Sequence, residues 1–113
     1  MVRKENPVQI EHLRGGRGTV TVCHVLTKEE LLGHGSMYAR VILPPGARVG
    51  WHTHEHDTEP YYILKGSANF IDNDGSITRV TAGDVCTILP GQSHSIENNS
   101  DSEVQLMALI YNE

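Results

Sequence analysis

Gly46-Ala47-Arg48-Val49-Gly50-Trp51-His52-Thr53-His54-Glu55-His56-Asp57-Thr58-Glu59 is the stretch on which the reading of this chain turns. It holds three of the chain's seven histidines within five residues. His52 and His54 are two apart, and residues two apart on a strand share a face. Two imidazoles side by side on one wall make half of a metal site. Glu55, His56, Asp57 and Thr58 form a polar turn, which lets Glu59 return from the neighbouring segment towards the same point. A fourth ligand must come from elsewhere. His94 is the candidate, because the Pro90-Gly91 turn before it can aim the following segment inward. Three neutral imidazoles and one carboxylate supply a single negative charge. A divalent ion held there keeps a net charge of about +1 and open positions for a small molecule.

Outward from this stretch, short strands alternate with turns. Residues 19–26 (TVTVCHVL) are rich in β-branched side chains. In 36–43 (SMYARVIL), Met37, Ala39, Val41 and Leu43 form an apolar face, with Tyr38, Arg40 and Ile42 on the other. Pro44-Pro45-Gly46 ends that strand. Further strands are predicted over 49–54, 60–65, 67–72, 76–80, 84–89, 94–98 and 103–111, with Asn73-Asp74-Gly75 as a turn. Residues 27–32 (TKEELL) are the one helix-like piece: Thr27 and Glu30 have capping-box spacing, and Gly33 is a natural stop. About nine short, closely spaced strands leave no room for the long crossovers of a parallel sheet. The fold class is therefore all-β, an antiparallel sandwich or small barrel with at most one short helix. In the last strand Val104, Leu106, Ala108 and Ile110 are apolar on one face, and Met107, Leu109 and Tyr111 on the other. Such a strand has to be covered within the domain or by a second subunit, and a homodimer is expected on that ground.

At 113 residues the chain is one domain. It reads as an N-terminal arm over 1–17 and a single β-barrel domain over 18–113. A domain of that size buries roughly 65% of its unfolded surface. It needs no metal or disulfide staple to fold, so losing an ion should remove activity before fold. Cys23 and Cys86 make no disulfide framework. Lys and Arg number 9 against 14 Asp and Glu, a net charge of −5 at pH 7, which argues against a nucleic-acid partner. The run RGGRG at 14–18 has no aromatic partners and reads as a turn before a strand. No apolar run approaches the roughly 18 residues of a membrane span. The N-terminal MVRKENPVQ lacks an apolar signal core. A cytoplasmic, soluble protein with no membrane partner is expected.

Two motifs carry a family resemblance. Residues 46–66 read G-x5-H-x-H-x4-E-x6-G, with Gly46, His52, His54, Glu59 and Gly66 in place. Residues 83–98 carry Gly83, Gly91, His94 and Asn98 at the spacing of G-x5-P-x-G-x2-H-x3-N, with the proline one place late, at Pro90. The chain resembles a small single-domain, type-2 member of the cupin superfamily. The resemblance implies a double-stranded β-helix, or jelly-roll, barrel. It also implies one divalent transition metal (manganese, iron, nickel, copper or zinc) inside the barrel on the residues matching His52, His54, Glu59 and His94. Mixed imidazole and carboxylate ligation does not choose among these metals.

Other residues take lesser parts. Tyr61 has the parity of Glu59, so its phenol could face the cavity and donate a proton or orient a substrate. The alternative is an ordinary packed aromatic. His56 shares parity with His52 and His54, but the turn intervenes. It reads as a solvated turn histidine, with a place behind the ligands or at the cavity mouth as the alternative. His12, His24 and His34 lie outside the motifs and read as surface or interface histidines. Trp51 and Tyr62 face away from the cavity, as does Arg40, which disfavours Arg40 as an interior clamp. Lys65 and Glu55 read as solvated, and nothing near Cys86 activates its thiol. The expected interior, Met37, Ala39, Val41, Ile63, Leu106 and Ala108, is apolar and does not select a substrate. The expectation is metal-dependent chemistry on a small organic molecule, of dioxygenase, isomerase, lyase or decarboxylase type. The alternative is non-catalytic binding or sensing of a small molecule.

Overall fold

The structure, a computed structural model, describes residues 1–113. Its strands are β1 (Asn6–Glu11), β2 (Thr19–Leu26), β3 (Gly35–Leu43), β4 (Arg48–Thr53), β5 (Asp57–Thr58), β6 (Tyr61–Lys65), β7 (Ser67–Ile71), β8 (Ile77–Thr81), β9 (Val85–Cys86), β10 (Ser93–Glu97) and β11 (Val104–Asn112). A seven-stranded sheet runs β1-β2-β3-β11-β6-β9, with β5 also paired to β11. A four-stranded sheet runs β4-β10-β7-β8. Every strand pairing is antiparallel. The two sheets close around one apolar core. Val20, Val22, Ala39, Val41, Leu43, Ile63, Leu106 and Ala108 come from the larger sheet, and Val49, Phe70 and Ile96 from the smaller.

Eight of the expected strands are present with ends within one residue of the reading. Three local expectations are corrected. Residues 27–32 form turns rather than a helix. The capping box itself is made: the Thr27 amide donates to the Glu30 carboxylate at 2.9 Å, and the Glu30 amide to the Thr27 hydroxyl at 3.2 Å. Six residues cannot repay helix nucleation, and Leu32 turns into the left-handed region at φ 56°. The strand expected over 84–89 shrinks to β9, which finds only β6 as partner. The Thr58 hydroxyl takes up the Ile88 carbonyl instead, at 2.7 Å. Residues 6–11, read as part of the arm, form β1 in register with β2. Every residue of β1 except Ile10 is exposed, so the strand carries almost no hydrophobic alternation. The run 14–18 is a tight turn, with a 3₁₀ turn at Leu13–Gly15.

One irregularity positions the site. Between the pairs His94–His52 and Ile96–Val49, β4 has one more residue than β10. This bulge lies at Gly50-Trp51. It turns both Val49 and His52 inward and leaves Trp51 47% exposed. The Ser95 hydroxyl donates to the Val49 carbonyl at 2.6 Å, which satisfies an acceptor beside the bulge. No helix in the structure is long and apolar enough to cross a membrane. Cys23 and Cys86 are free and buried. Burial, with help from Asp84 and Asp72, pushes the Cys86 thiol up to about 11, so it is not an activated nucleophile.

Candidate metal centre

Five side chains from four chain segments meet at one point. His52 sits on β4, His54 just beyond its end, Glu59 just after β5, Tyr61 on β6 and His94 on β10. His54 is held by its backbone: its amide donates to the Gln92 carbonyl at 3.0 Å, and its carbonyl accepts from Gly91 at 2.6 Å. His56 takes a left-handed conformation at φ 66°, which bends the chain and returns Glu59 to the interior. His52, His54, Glu59 and His94 are all buried, and one donor atom from each lies within 4.8 Å of the others. Glu59 Oε1 is 3.3 Å from His52 Nε2, 3.2 Å from His54 Nε2 and 3.2 Å from His94 Nε2. His94 Nε2 and His52 Nε2 are 3.2 Å apart.

The outer nitrogens decide what this cluster can hold. His52 Nδ1 lies 2.7 Å from the Gly50 carbonyl oxygen, which only accepts, so Nδ1 carries the proton. His54 Nδ1 lies 2.7 Å from the Asp57 carboxylate and carries its proton for the same reason. In neutral rings both Nε2 lone pairs then point at the Glu59 oxygen, acceptor against acceptor. A cation between them resolves that arrangement, and the donor set suits a divalent transition ion. His94 Nδ1 is the one buried side-chain nitrogen or oxygen with no partner. A proton there costs about 1–3 kcal/mol, while a proton on Nε2 would block the cluster, so an ion on Nε2 selects the ring's tautomer.

Charge follows the same geometry. Burial pushes the Glu59 carboxyl up, but three imidazoles crowding its oxygen outweigh that and hold it far below the usual range. Burial lowers His54, yet Glu59 and Asp57 together raise it; for His94 burial dominates and the ring is pushed down. Tyr61 is buried, with its hydroxyl 3.2 Å from Glu59 Oε1 and 3.5 Å from His94 Nε2. Its ring stacks on His94 with centroids 4.9 Å apart. Burial first, then the Glu59 charge, push this phenol well above its ordinary value, so it stays a donor.

His52 and Glu59 of the cluster, with Tyr61, line a cavity of about 140 Å³, smaller than the roughly 300–1,000 Å³ of ordinary ligand clefts. Ten of the fourteen lining residues are hydrophobic, among them the expected Met37, Val41 and Leu106. Ala39, Ile63 and Ala108 are core instead. His56 lies outside, its side chain 89% exposed, and His12 and His34 are exposed as well. His24, read as a surface histidine, is half-buried and lines the cavity. The sequence reading also missed Arg14 as a lining residue, and Asp57 and the Gly50 carbonyl as the groups that orient His54 and His52. The Asp57 signal was available as an acidic residue three places after His54, whereas a backbone carbonyl leaves no signal.

The chain belongs to the cupin family: the cupin-domain family model matches residues 39–110. Among individual proteins, it is 44% identical over 104 residues to the oxalate-binding protein of Thermotoga maritima, covering 92% of this chain and 85% of that protein. A crystal structure described as a predicted oxalate decarboxylase from Thermotoga maritima superposes with a TM-score of 0.94 at 42% identity, covering 100% of this chain and 99% of that one. An uncharacterised Klebsiella pneumoniae protein with a double-stranded β-helix domain shares the fold alone, at a TM-score of 0.72 and 22% identity over 89% of this chain and 84% of that one.

Proposed function

We propose that this cupin binds a small carboxylate of the oxalate class on one divalent transition ion held by His52, His54, Glu59 and His94. The carrying observation is a buried cluster of three histidines and one glutamate, of which His52 and Glu59 line a small cavity with no second carboxylate in its wall. The ion supplies the positive charge on which a carboxylate is taken. The chain does the rest. Gly50 and Asp57 fix two histidines, Tyr61 donates to the carboxylate of Glu59, and the apolar wall excludes water from a ligand of a few heavy atoms. The name of the Thermotoga oxalate-binding protein supports this choice of ligand. Calorimetric titration of oxalate into manganese-loaded protein should give one site per chain and no heat of binding after the metal is removed. Loaded protein that binds neither oxalate nor any other small carboxylate would refute the reading.

Catalysis is the second reading, and Tyr61 favours it. Loss of carbon dioxide from hydrogen oxalate leaves formate only if a proton reaches the carbon, and this buried phenol is the wall's one hydroxyl donor. The expected result is background release of carbon dioxide from oxalate by the wild type. Release that falls at least 100-fold in Tyr61→Phe, with metal content kept, would establish the decarboxylase instead.

The outer face of the larger sheet supports a homodimer. Tyr62 and Val85 are exposed there, and Met107, Leu109 and Tyr38 are only half-covered. Light scattering should report two 12.5 kDa chains, and Leu109→Glu should shift the species to one. A monomeric wild type would remove the proposal. Two unpaired, buried cysteines are consistent with a reducing, cytoplasmic compartment.

A further inference from the structure

We infer that Arg14, in the turn packed against β4, is the residue that selects a doubly charged ligand. The inference rests on the proposed carboxylate ligand and adds a specificity determinant to it. Arg14 lines the same cavity as His52, Glu59 and Tyr61, and it is the one permanently charged cation in that wall. Four of the other five arginines are committed to carboxylates: Arg3 to Glu30, Arg17 and Arg48 to Glu97, and Arg40 to Glu5; the fifth, Arg79, lies on β8 and outside this cavity. Arg14 has no such partner, so its guanidinium is free to take an anion.

Its position is built rather than incidental. Arg17 and Arg48 exchange two backbone hydrogen bonds, at 3.1 and 2.9 Å, which fasten the turn to β4. The contact is backbone on backbone. A Cβ on Gly16 would land on the Arg48 carbonyl, and one on Gly50 would land on the Arg14 carbonyl. Gly50 also supplies the carbonyl that orients His52, so one residue ties the turn to the metal ligand. Arg14 itself sits at φ 56°, a left-handed conformation that disfavours any side chain, in a turn that also contains Gly15, Gly16 and Gly18. Glycine would suit the backbone better, so the side chain is present against local preference.

Charge balance supplies the reason. With three neutral histidines, a divalent ion and the Glu59 carboxylate sum to +1. A dicarboxylate of charge −2 leaves a net −1 in a mostly apolar cavity, and the guanidinium brings that to zero. A monocarboxylate already balances the ion and needs no Arg14.

The test is titration of oxalate and of acetate into manganese-loaded wild type, Arg14→Gln, Arg14→Lys and Arg14→Gly, with metal content and melting temperature measured alongside. Oxalate should bind roughly 10- to 100-fold more weakly to Arg14→Gln. Arg14→Lys should fall between, and acetate should change much less. Arg14→Gly should bind oxalate as poorly as Arg14→Gln while melting no lower than wild type, because glycine accepts the backbone. Unchanged oxalate affinity in Arg14→Gln overturns the inference and leaves the oxalate reading intact. Loss of metal together with oxalate also overturns it, since the role is then structural. A wild type that binds malonate but not oxalate, with malonate weakened by Arg14→Gln, removes oxalate and keeps Arg14. A wild type that binds no anion removes both.

Discussion

His52→Ala is expected to fall from one equivalent of bound metal per chain to under about one tenth after dialysis, and to lose oxalate binding with it, while remaining folded. Groups that merely orient a metal ligand are worth about 10- to 100-fold in affinity, so removing a ligand should cost at least that much. The deletion also frees the Gly50 carbonyl and takes away one of the lone pairs that converge on the Glu59 oxygen. Fold survives for a reason visible in the packing. The apolar cluster of 18 buried residues contains none of the four ligand residues. Each fully buried Leu, Ile or Val in it contributes about 1.5–3 kcal/mol through burial. Metal binding adds to stability by mass action alone, and that increment vanishes in the variant and in chelated wild type alike. Both should melt lower than the loaded protein yet well above room temperature. A full metal equivalent retained by His52→Ala would break the assignment of the site. Unfolding of chelated wild type near room temperature would show that the ion is a fold requirement after all.

The parts of this design that are legible in the sequence are those in which burial alternates or a ligand stands at a fixed spacing. β2, β3 and β11 could be read because Val20 and Val22, Ala39 and Val41, and Leu106 and Ala108 mark every second residue. Parity and turn chemistry brought His52, His54, Glu59 and His94 onto one candidate list, and the structure places them around one point. β1 was hidden because an edge strand with five of six residues exposed shows no alternation, and its Pro7 weakens the signal further. The TKEELL segment misled in the opposite direction. Its capping box is real, but a local hydrogen-bond pair says nothing about whether a helix follows. Arg14 escaped because a cation in a glycine-rich turn looks solvated until the turn is seen lying across β4. Arg14 lines a cavity most of whose other residues come from distant parts of the chain.

Gly50→Ala should be a strongly damaging single-methyl change in the motif around the site. Its backbone angle is not the obstacle, since Gly50 is not among the positive-φ glycines. Space is. The new Cβ would meet the Arg14 carbonyl oxygen well inside contact distance, with the Arg14 carbonyl carbon at 2.8 Å and the Gly16 nitrogen at 2.9 Å. All three are backbone atoms, so no side chain can swing aside. Either the 13–16 turn lifts off β4 or β4 shifts, and overpacking of that kind costs about 2–4 kcal/mol. For a domain of this size that is a fall in melting temperature of roughly 10–20 °C. A shift in β4 also moves the carbonyl that fixes the His52 tautomer, and a lifted turn carries Arg14 away from the cavity. Metal and oxalate affinity should therefore drop together. Gly46→Ala supplies the control within the same motif. A methyl on Gly46 would have nothing within 4 Å, but the residue sits at φ 82°. It should lose only the roughly 1–2 kcal/mol of a left-handed alanine and bind metal and oxalate as wild type does. Two glycines four residues apart thus answer to different physics, one to backbone conformation and one to close approach. Equal melting temperatures for Gly50→Ala and wild type would show that the turn does not rest on β4 and would remove the link between Arg14 and the metal ligand.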